Sequence, residues 1–259
     1  MITVKDVDTV LTAAAPRTLS ESWDNDGVML CANDHAPVKK ILIMLEVTHA
    51  GAEYAAEHGY DLIVTHHPFI FKPLSRLTGD TFCLFDKLMR AGISVISYHT
   101  RMDSAEGGVN DCAAALLGLA DVRPFGGENG CIGRVGNLPE PVEPEAFAAQ
   151  LKAVFHCPGI RASLFRTPAK RIRRVALVGG AGKDFYAEAY AAGADAFVTA
   201  EAAHHIFAAC QRLDMCLFDC GHYYTENPIC ARFSSILAEA FGKDVTADLY
   251  DVGNSYLDV

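Results

Sequence analysis

A duplication constrains the fold of this chain more than any other feature. Ile41-Leu-Ile-Met, a helical stretch and Gly59-Tyr-Asp-Leu-Ile-Val-Thr65 match Val175-Ala-Leu-Val, a helical stretch and Gly193-Ala-Asp-Ala-Phe-Val-Thr199, always 134 residues further on and without a gap. A long internal repeat signals duplicated architecture. Short apolar runs at 41–47, 62–65, 93–98, 174–179, 196–199 and 215–219 read as strands. Ala-rich segments at 50–57, 81–90, 185–192 and 203–211 have helical spacing. This alternation predicts parallel pairing with helices covering the sheets. The expectation is an α/β chain of two similar, duplicated halves with mostly parallel sheets, or one intertwined domain. The first half spans 1–123 and the second 169–259. Residues 124–168 break the rhythm with Gly126, Gly127 and Gly130, a strand at 131–138 and a helix at 145–155, and read as a connector with some structure.

With 259 residues, 51% hydrophobic and 21% charged, the chain can bury a sizeable core. The formal net charge of -10 leaves no basic footprint, which argues against nucleic acid or an anionic membrane as partner. The N-terminal residues lack a signal pattern, and no apolar stretch is long enough to span a bilayer. Nine scattered cysteines, Cys83, Cys112 and Cys210 among them, read as reduced core residues of a cytoplasmic protein. No CxxC pair occurs, so a structural zinc site is not expected.

The matched strands end differently. After Thr65 come His66, His67 and Pro68; after Thr199 come Ala200 and Glu201, with His204 and His205 close behind. On a continuing strand the two rings would point to opposite faces, but a turn at Pro68 could bring them together. Four polar clusters sit at or after strand ends: His66 with His67, His99 with Asp103, Glu201 with His204 and His205, and His222 with Glu226. Strand ends are where parallel α/β sheets build their sites. The last pair is spaced i, i+4, at the entry of a helix starting near Thr225. Two histidines, a carboxylate from a second strand end and a His/Glu pair from a third make five N/O ligands. That exceeds one tetrahedral zinc and suits two ions about 3.5–4 Å apart in a cleft shared by both halves. Zinc, iron, manganese, cobalt and nickel fit this donor set.

Each cluster has a structural reading too. Asp103 could cap the helix after Gly107-Gly108. Glu226 could be a helix carboxylate favoured by the macrodipole. His204 and His205 could be ordinary helix residues, and His35, His49, His58 and His156 read as surface residues. Gly179-Gly180-Ala-Gly182-Lys183 could receive a phosphate but lacks P-loop spacing.

Taken in order, Trp23-Asp24-Asn25-x-Gly27, Thr65-His66-His67-Pro68-x-x-Phe71, His99-Thr-x-x-Asp103 with Gly107-Gly108-Val-Asn110-Asp111, and Asp219-x-Gly221-His222-x-x-Thr225-Glu226 resemble the GTP cyclohydrolase I type 2 family, also called NIF-three-like or YbgI-like proteins. The resemblance covers nearly the whole chain and matches the compact members without an inserted domain. It implies a dinuclear metal site with His66, His67, Asp103, His222 and Glu226 as ligands, Glu226 bridging, and a toroidal homohexamer. Two departures stand out. Asp26 replaces a hydrophobic residue, and Glu46 stands where the family often has Asp.

Two functions follow as expectations. One is a dinuclear metal-dependent hydrolase, a GTP cyclohydrolase 1 type 2 homolog, attacking a nucleotide or another phosphorylated small molecule. There His99 and Glu201 would transfer protons or orient ligands. The other is a non-catalytic metal-binding protein for storage, delivery or regulation. A dinucleotide-binding enzyme is disfavoured, because no GxGxxG follows the first strand.

Overall fold

In the computed structural model, which describes residues 1–256, each copy of the repeat forms three parallel strands joined by helical crossovers. In chain order the elements are α1 (Val4–Ala14), β1 (Gly27–Leu30), β2 (Lys40–Met44), α2 (His49–Glu57), β3 (Leu62–Thr65), α3 (Gly79–Ala91), β4 (Ser94–Ser97), α4 (Thr100–Ser104), α5 (Val109–Leu116), β5 (Ala120–Phe125), β6 (Gly133–Val142), α6 (Pro144–Phe155), β7 (Arg161–Ser163), β8 (Ile172–Leu177), α7 (Tyr186–Ala191), β9 (Ala196–Thr199), α8 (His204–Arg212), β10 (Cys216–Asp219), α9 (His222–Glu226), α10 (Pro228–Phe241) and β11 (Thr246–Leu249). The first sheet runs β1-β4-β3-β2-β11 and the second β5-β6-β8-β9-β10-β7. The parallel cores are β2-β3-β4 and β8-β9-β10. Both cores carry an antiparallel strand beside the third member, β1 on β4 and β7 on β10. Gly27 and Arg161 open those two strands, again 134 residues apart. Gly-Val-Met-Leu and Arg-Ala-Ser share no pattern, so this part of the duplication is visible only in the backbone.

Turn chemistry repeats with the strands. Asp61 Oδ2 accepts from the backbone N–H groups of Lys39 (2.8 Å) and Lys40 (3.0 Å). Asp195 Oδ2, 134 residues on, accepts from those of Arg173 (3.1 Å) and Arg174 (2.9 Å). A carboxylate that takes two N–H groups ties the start of one strand to the approach of the next and fixes their register. Gly59 and Gly193 precede the two clamps at φ +66° and +80°, a region that glycine reaches without Cβ strain.

Period-2 alternation fills both faces of the second sheet. Val175, Leu177, Val198 and Phe218 pack in one buried cluster with Phe147 and Leu151 of α6. Ala176, Val178, Phe197 and Leu217 pack in another, with Ile206 of α8. In the first sheet Leu42, Met44, Ile63 and Val95 join Ala52, Ala55 and Leu88 of the covering helices.

The chain divides into two compact units, Met1–Met102 with Ile229–Gly253, and Asp103–Pro228 with the residues from Asn254. These bounds differ from the halves drawn at 1–123, 124–168 and 169–259, whose last three residues lie outside the described ones. Ala113, Ala114 and Leu117 of α5 bury against Leu138 of β6 and Phe147 of α6, which draws 103–123 into the second unit. The stretch 124–168 is no mere connector. It supplies β6, which pairs antiparallel with β8. The end of the chain returns to the first unit, where β11 pairs parallel with β2. Among the described residues, no helix is long and apolar enough to cross a membrane.

All nine cysteines are thiols, with no disulfide among them. Cys83 is exposed on α3, against the expectation of a core residue, whereas Cys157, Cys210, Cys216, Cys220 and Cys230 are buried. Burial pushes Cys210 up to about 11. It pushes Cys216 and Cys230 up to about 12. A thiol reagent at pH 8 is expected to modify Cys83 rapidly and these three only after unfolding, as mass spectrometry of the labelled protein would show. A raised folded pKa means the buried thiol stabilises the fold below the unfolded pKa of about 9. That contribution is lost as pH climbs from about 9 through 11 and 12.

Candidate metal centre

In the first unit, three imidazoles converge beyond the ends of β3 and β4. The backbone N–H groups of His66 and His67 both donate to the Leu45 carbonyl, at 3.1 and 2.9 Å. Two successive donors to one acceptor mean the strand has ended and the chain is turning. The two rings therefore do not go to opposite faces, and their centroids are 5.3 Å apart. His99 follows β4 and lies 5.2 Å from His66 and 6.0 Å from His67, centroid to centroid. One ring nitrogen of His66 lies within 4.8 Å of one on His67, and likewise within 4.8 Å of one on His99.

The partners of these rings decide their tautomers. His66 Nδ1 donates to the Tyr98 carbonyl (2.9 Å), His67 Nδ1 to Glu46 Oε2 (3.2 Å) and His99 Nδ1 to Asp24 Oδ1 (2.8 Å). Carbonyls and ionised carboxylates only accept, so a proton sits on each Nδ1, and in the neutral ring Nε2 then carries the lone pair. Asp24 is itself locked: its other oxygen accepts from Thr100 N (2.9 Å) and Thr100 Oγ1 (2.6 Å). Burial pushes the Asp24 carboxyl up, but the hydrogen bonds from His99 and Thr100 outweigh it and hold it at about 2. Both sequence departures bear on this unit. Glu46 is the carboxylate on His67, one of the predicted ligands. Asp26 is buried, accepts from Ser20 Oγ (2.7 Å) and faces Arg101 Nε at 3.2 Å, so its charge is balanced locally.

In the second unit, α9 begins at His222, three residues earlier than the expected start near Thr225. Gly221, at φ +81°, turns the chain into it. One helical turn then puts His222 Nε2 2.8 Å from Glu226 Oε2. His222 Nδ1 donates to Glu201 Oε1 at 2.7 Å, so Glu201 meets His222 rather than His204 or His205. Those two open α8 as exposed residues, and His35, His49, His58 and His156 are exposed as well. Glu201 holds a left-handed φ of +54°, a strained conformation of the kind kept where a side chain must be aimed. A cavity of about 570 Å³ opens beside it, lined by Arg161, Asp219, Gly221, Tyr224 and Tyr256.

Asp103 is buried within α4, while the helix after Gly107-Gly108 is preceded by Gly108 and takes no side-chain cap, so the capping reading is set aside. Asn110 fixes the Asp103 turn. Its Nδ2 donates to the carbonyls of Asp103 (3.3 Å) and Ile132 (2.6 Å), and its Oδ1 accepts from Gly179 N (2.8 Å). The Gly179–Lys183 turn is not a phosphate cradle. Gly179 N is taken by Asn110 and Gly180 N by Thr225 Oγ1 (3.0 Å). Its glycine makes room instead: a Cβ on Gly180 would lie 2.7 Å from Glu226 Cδ and 2.9 Å from His222 Nε2.

Gly180→Ala is therefore expected to displace Glu226 and His222 and weaken any cation held there at least tenfold. Gly59→Ala is the control. It has a similar φ of +66° but nothing within 4 Å of the new Cβ, so it should cost only the roughly 1–2 kcal/mol of left-handed strain. Metal titration of both variants beside their melting curves separates the two effects.

Of the residues that the sequence singles out (His66, His67, His99, Asp103, Glu201, His222 and Glu226), the structure brings the first three together in one unit and His222, Glu201 and Glu226 together in the other. The sequence does not single out the acceptors behind the imidazoles: Asp24, Glu46 and the Tyr98 carbonyl. Asking what receives each Nδ1 proton would have pointed to acids at neighbouring strand ends. The arrangement offers imidazole nitrogens and carboxylate oxygens, with no thiolate among them, which is a donor set for divalent first-row cations.

The profile of the Duf34/NIF3 (NGG1p interacting factor 3) family matches residues 2–252. The chain is 30% identical over 249 residues to a Clostridium perfringens protein described as "GTP cyclohydrolase 1 type 2 homolog", covering 93% of this chain and 94% of that one. Among solved structures, the Bacillus cereus protein related to NIF3 superposes with a TM-score of 0.90 at 19% identity, covering 100% of this chain and 99% of the other. Protein ybgI superposes with a TM-score of 0.88 at 21% identity, covering 98% and 100%.

Proposed function

The chain belongs to the Duf34/NIF3 family, and on that footing we propose that it is a dinuclear metal-dependent hydrolase acting on a nucleotide or phosphoester. The proposed ligands are His66, His67, Asp103, His222 and Glu226, with Glu226 bridging. The observation that carries this reading is the common anchoring of the histidines. His66, His67, His99 and His222 each give the Nδ1 proton to a fixed acceptor. That second-sphere arrangement orients an imidazole for a cation at Nε2.

When bound, two divalent cations supply an acidified water and stabilise negative charge on a reacting oxygen. The side chains have separable tasks around them. Glu201 orients His222 through Nδ1 and keeps its Nε2 directed at Glu226. Asp24 does the same for His99, whose Nε2 lone pair is available either as a further ligand or to take a proton from the reacting group. Glu46 steadies His67. The use of Cys157, Cys210, Cys216, Cys220 and Cys230 as buried core residues supports a cytoplasmic setting. Leu74, Leu77, Phe82 and Met89 are large apolar side chains exposed in the first unit, and for the assembly that would cover such residues we propose the homohexamer.

The test combines elemental analysis of protein purified without added metal with a turnover screen of GTP, dinucleotides and simple phosphoesters. Activity lost on chelation and restored by one divalent metal is the expected result. Stoichiometric metal with no turnover of any substrate would leave the non-catalytic metal-binding reading instead.

A further inference from the structure

We propose that Trp23 and Phe71 form a stacking site for a planar heteroaromatic ring, a nucleobase, beside the His66, His67 and His99 cluster. This deepens the hydrolase reading and rests on it for the reaction, because it selects a base-bearing substrate over a simple phosphoester.

Trp23 is 58% exposed and Phe71 45% exposed, although both are large apolar side chains. They are arranged rather than scattered. Their ring centroids are 6.1 Å apart at 70°. Each also meets His99 edge-on, Trp23 at 6.2 Å and 75° and Phe71 at 6.1 Å and 90°. Edge-on contacts of this kind leave ring faces open to a further planar group.

The backbone under the rings is held. Glu21 N donates to Thr100 Oγ1 (3.0 Å) and Asp24 N to the Glu21 carbonyl (3.0 Å). Asn25 Nδ2 donates to the Ile70 carbonyl, which ties the Trp23 loop to the residue before Phe71. His99, the ring both aromatics touch, is fixed by Asp24. The aromatic pair is thus pre-organised, which lowers the ordering cost of binding. His99 contacts the pair on one side and His66 and His67 on the other, so a stacked ring would lie one imidazole away from those two histidines.

Trp23 is the single tryptophan of the chain, so its fluorescence reports on this site alone. The full-length protein, metal-stripped and metal-loaded, is titrated with guanosine 5′-monophosphate, adenosine 5′-monophosphate and ribose 5-phosphate. Saturable quenching by both nucleotides and none by the base-less sugar is expected. Phe71→Ala should weaken nucleotide binding roughly 5- to 150-fold, the range for loss of one base–aromatic stack, and Phe71→Tyr should retain it. Phe71 is exposed, so its truncation leaves the core intact. Quenching that persists where metal-dependent turnover fails would sink the hydrolase reading and leave the stacking site standing. Equal response to ribose 5-phosphate, or an unchanged nucleotide affinity in Phe71→Ala, would overturn the stacking site whatever the activity. So would a Phe71→Ala variant whose main change is its oligomeric state, because the pair would then be covered by a second copy.

Discussion

Replacing Glu226 by Ala is expected to abolish metal loading without unfolding the protein. Glu226 is buried at 4% exposure and sits with His222 and the negatively charged Glu201. Two carboxylates around one imidazole, one of them buried, are tolerable in water only with a compensating positive charge. Removing Glu226 relieves that crowding of negative charge in the apo protein, and it removes the proposed bridging ligand. In the parent protein, a divalent cation at 100 times its dissociation constant should stabilise the fold by about 2.7 kcal/mol. Glu226→Ala and His66→Ala should both lose that metal-induced rise in melting temperature and the associated turnover. The loss should exceed the roughly 10–100-fold effect typical of an outer-sphere partner, which Glu201→Gln, behind His222, should show. A metal-induced rise that survives in Glu226→Ala would remove this residue from the ligand set.

Arg134→Met is expected to cost the second unit roughly 3–5 kcal/mol, the largest stability effect of any single polar substitution proposed here. Arg134 is 5% exposed, and all its N–H groups are engaged. Nε donates to Asp111 Oδ1 (2.5 Å), and Nη1 donates to the carbonyls of Cys131 (2.7 Å) and Gly133 (3.1 Å). Nη2 donates to the carbonyls of Ser104 and Ala105, both at 2.9 Å, and to Asp111 Oδ2 at 3.2 Å. Methionine fills the volume but leaves four carbonyls and the Asp111 carboxylate without this donor. The damage falls on the residues right after Asp103, so the predicted ligand should also lose its position. Arg90→Met is the comparison. Arg90 pairs with Asp86 at i, i+4, but its side chain is 78% exposed, and a solvent-screened surface pair contributes little to stability. Thermal melts of the two variants should differ several-fold in their shift.

The parts of the site that were legible in the sequence are the local ones. His66 and His67 are adjacent, and His222 and Glu226 are one helical turn apart, so strand-end and helix geometry alone place them. What positions those rings comes from afar in the chain. Glu46 lies 21 residues before His67, and Asp24 75 residues before His99. No local pattern joins such pairs, and the repeat is silent on them, because Asp24 precedes the matched segment and Glu46 falls opposite Gly180 in the second copy. The duplication predicted both parallel cores correctly, since period-2 apolar runs and turn aspartates recur in both copies. It did not predict the division into units. Thr246-Ala-Asp-Leu249 carries no sign in its composition that it will add beside β2. The buried face of α5 likewise joins the second unit only because Leu138 and Phe147, farther along the chain, receive it.

The most direct test of the central claim is anomalous X-ray scattering from crystals of protein purified without added metal. The account predicts two peaks about 3.5–4 Å apart. Each should lie about 2.0–2.2 Å from imidazole Nε2 or carboxylate oxygen atoms of His66, His67, Asp103, His222 and Glu226, with every Nδ1 still bonded to its acceptor. Peaks coordinated through Nδ1, or anomalous density located only at other residues, would contradict it.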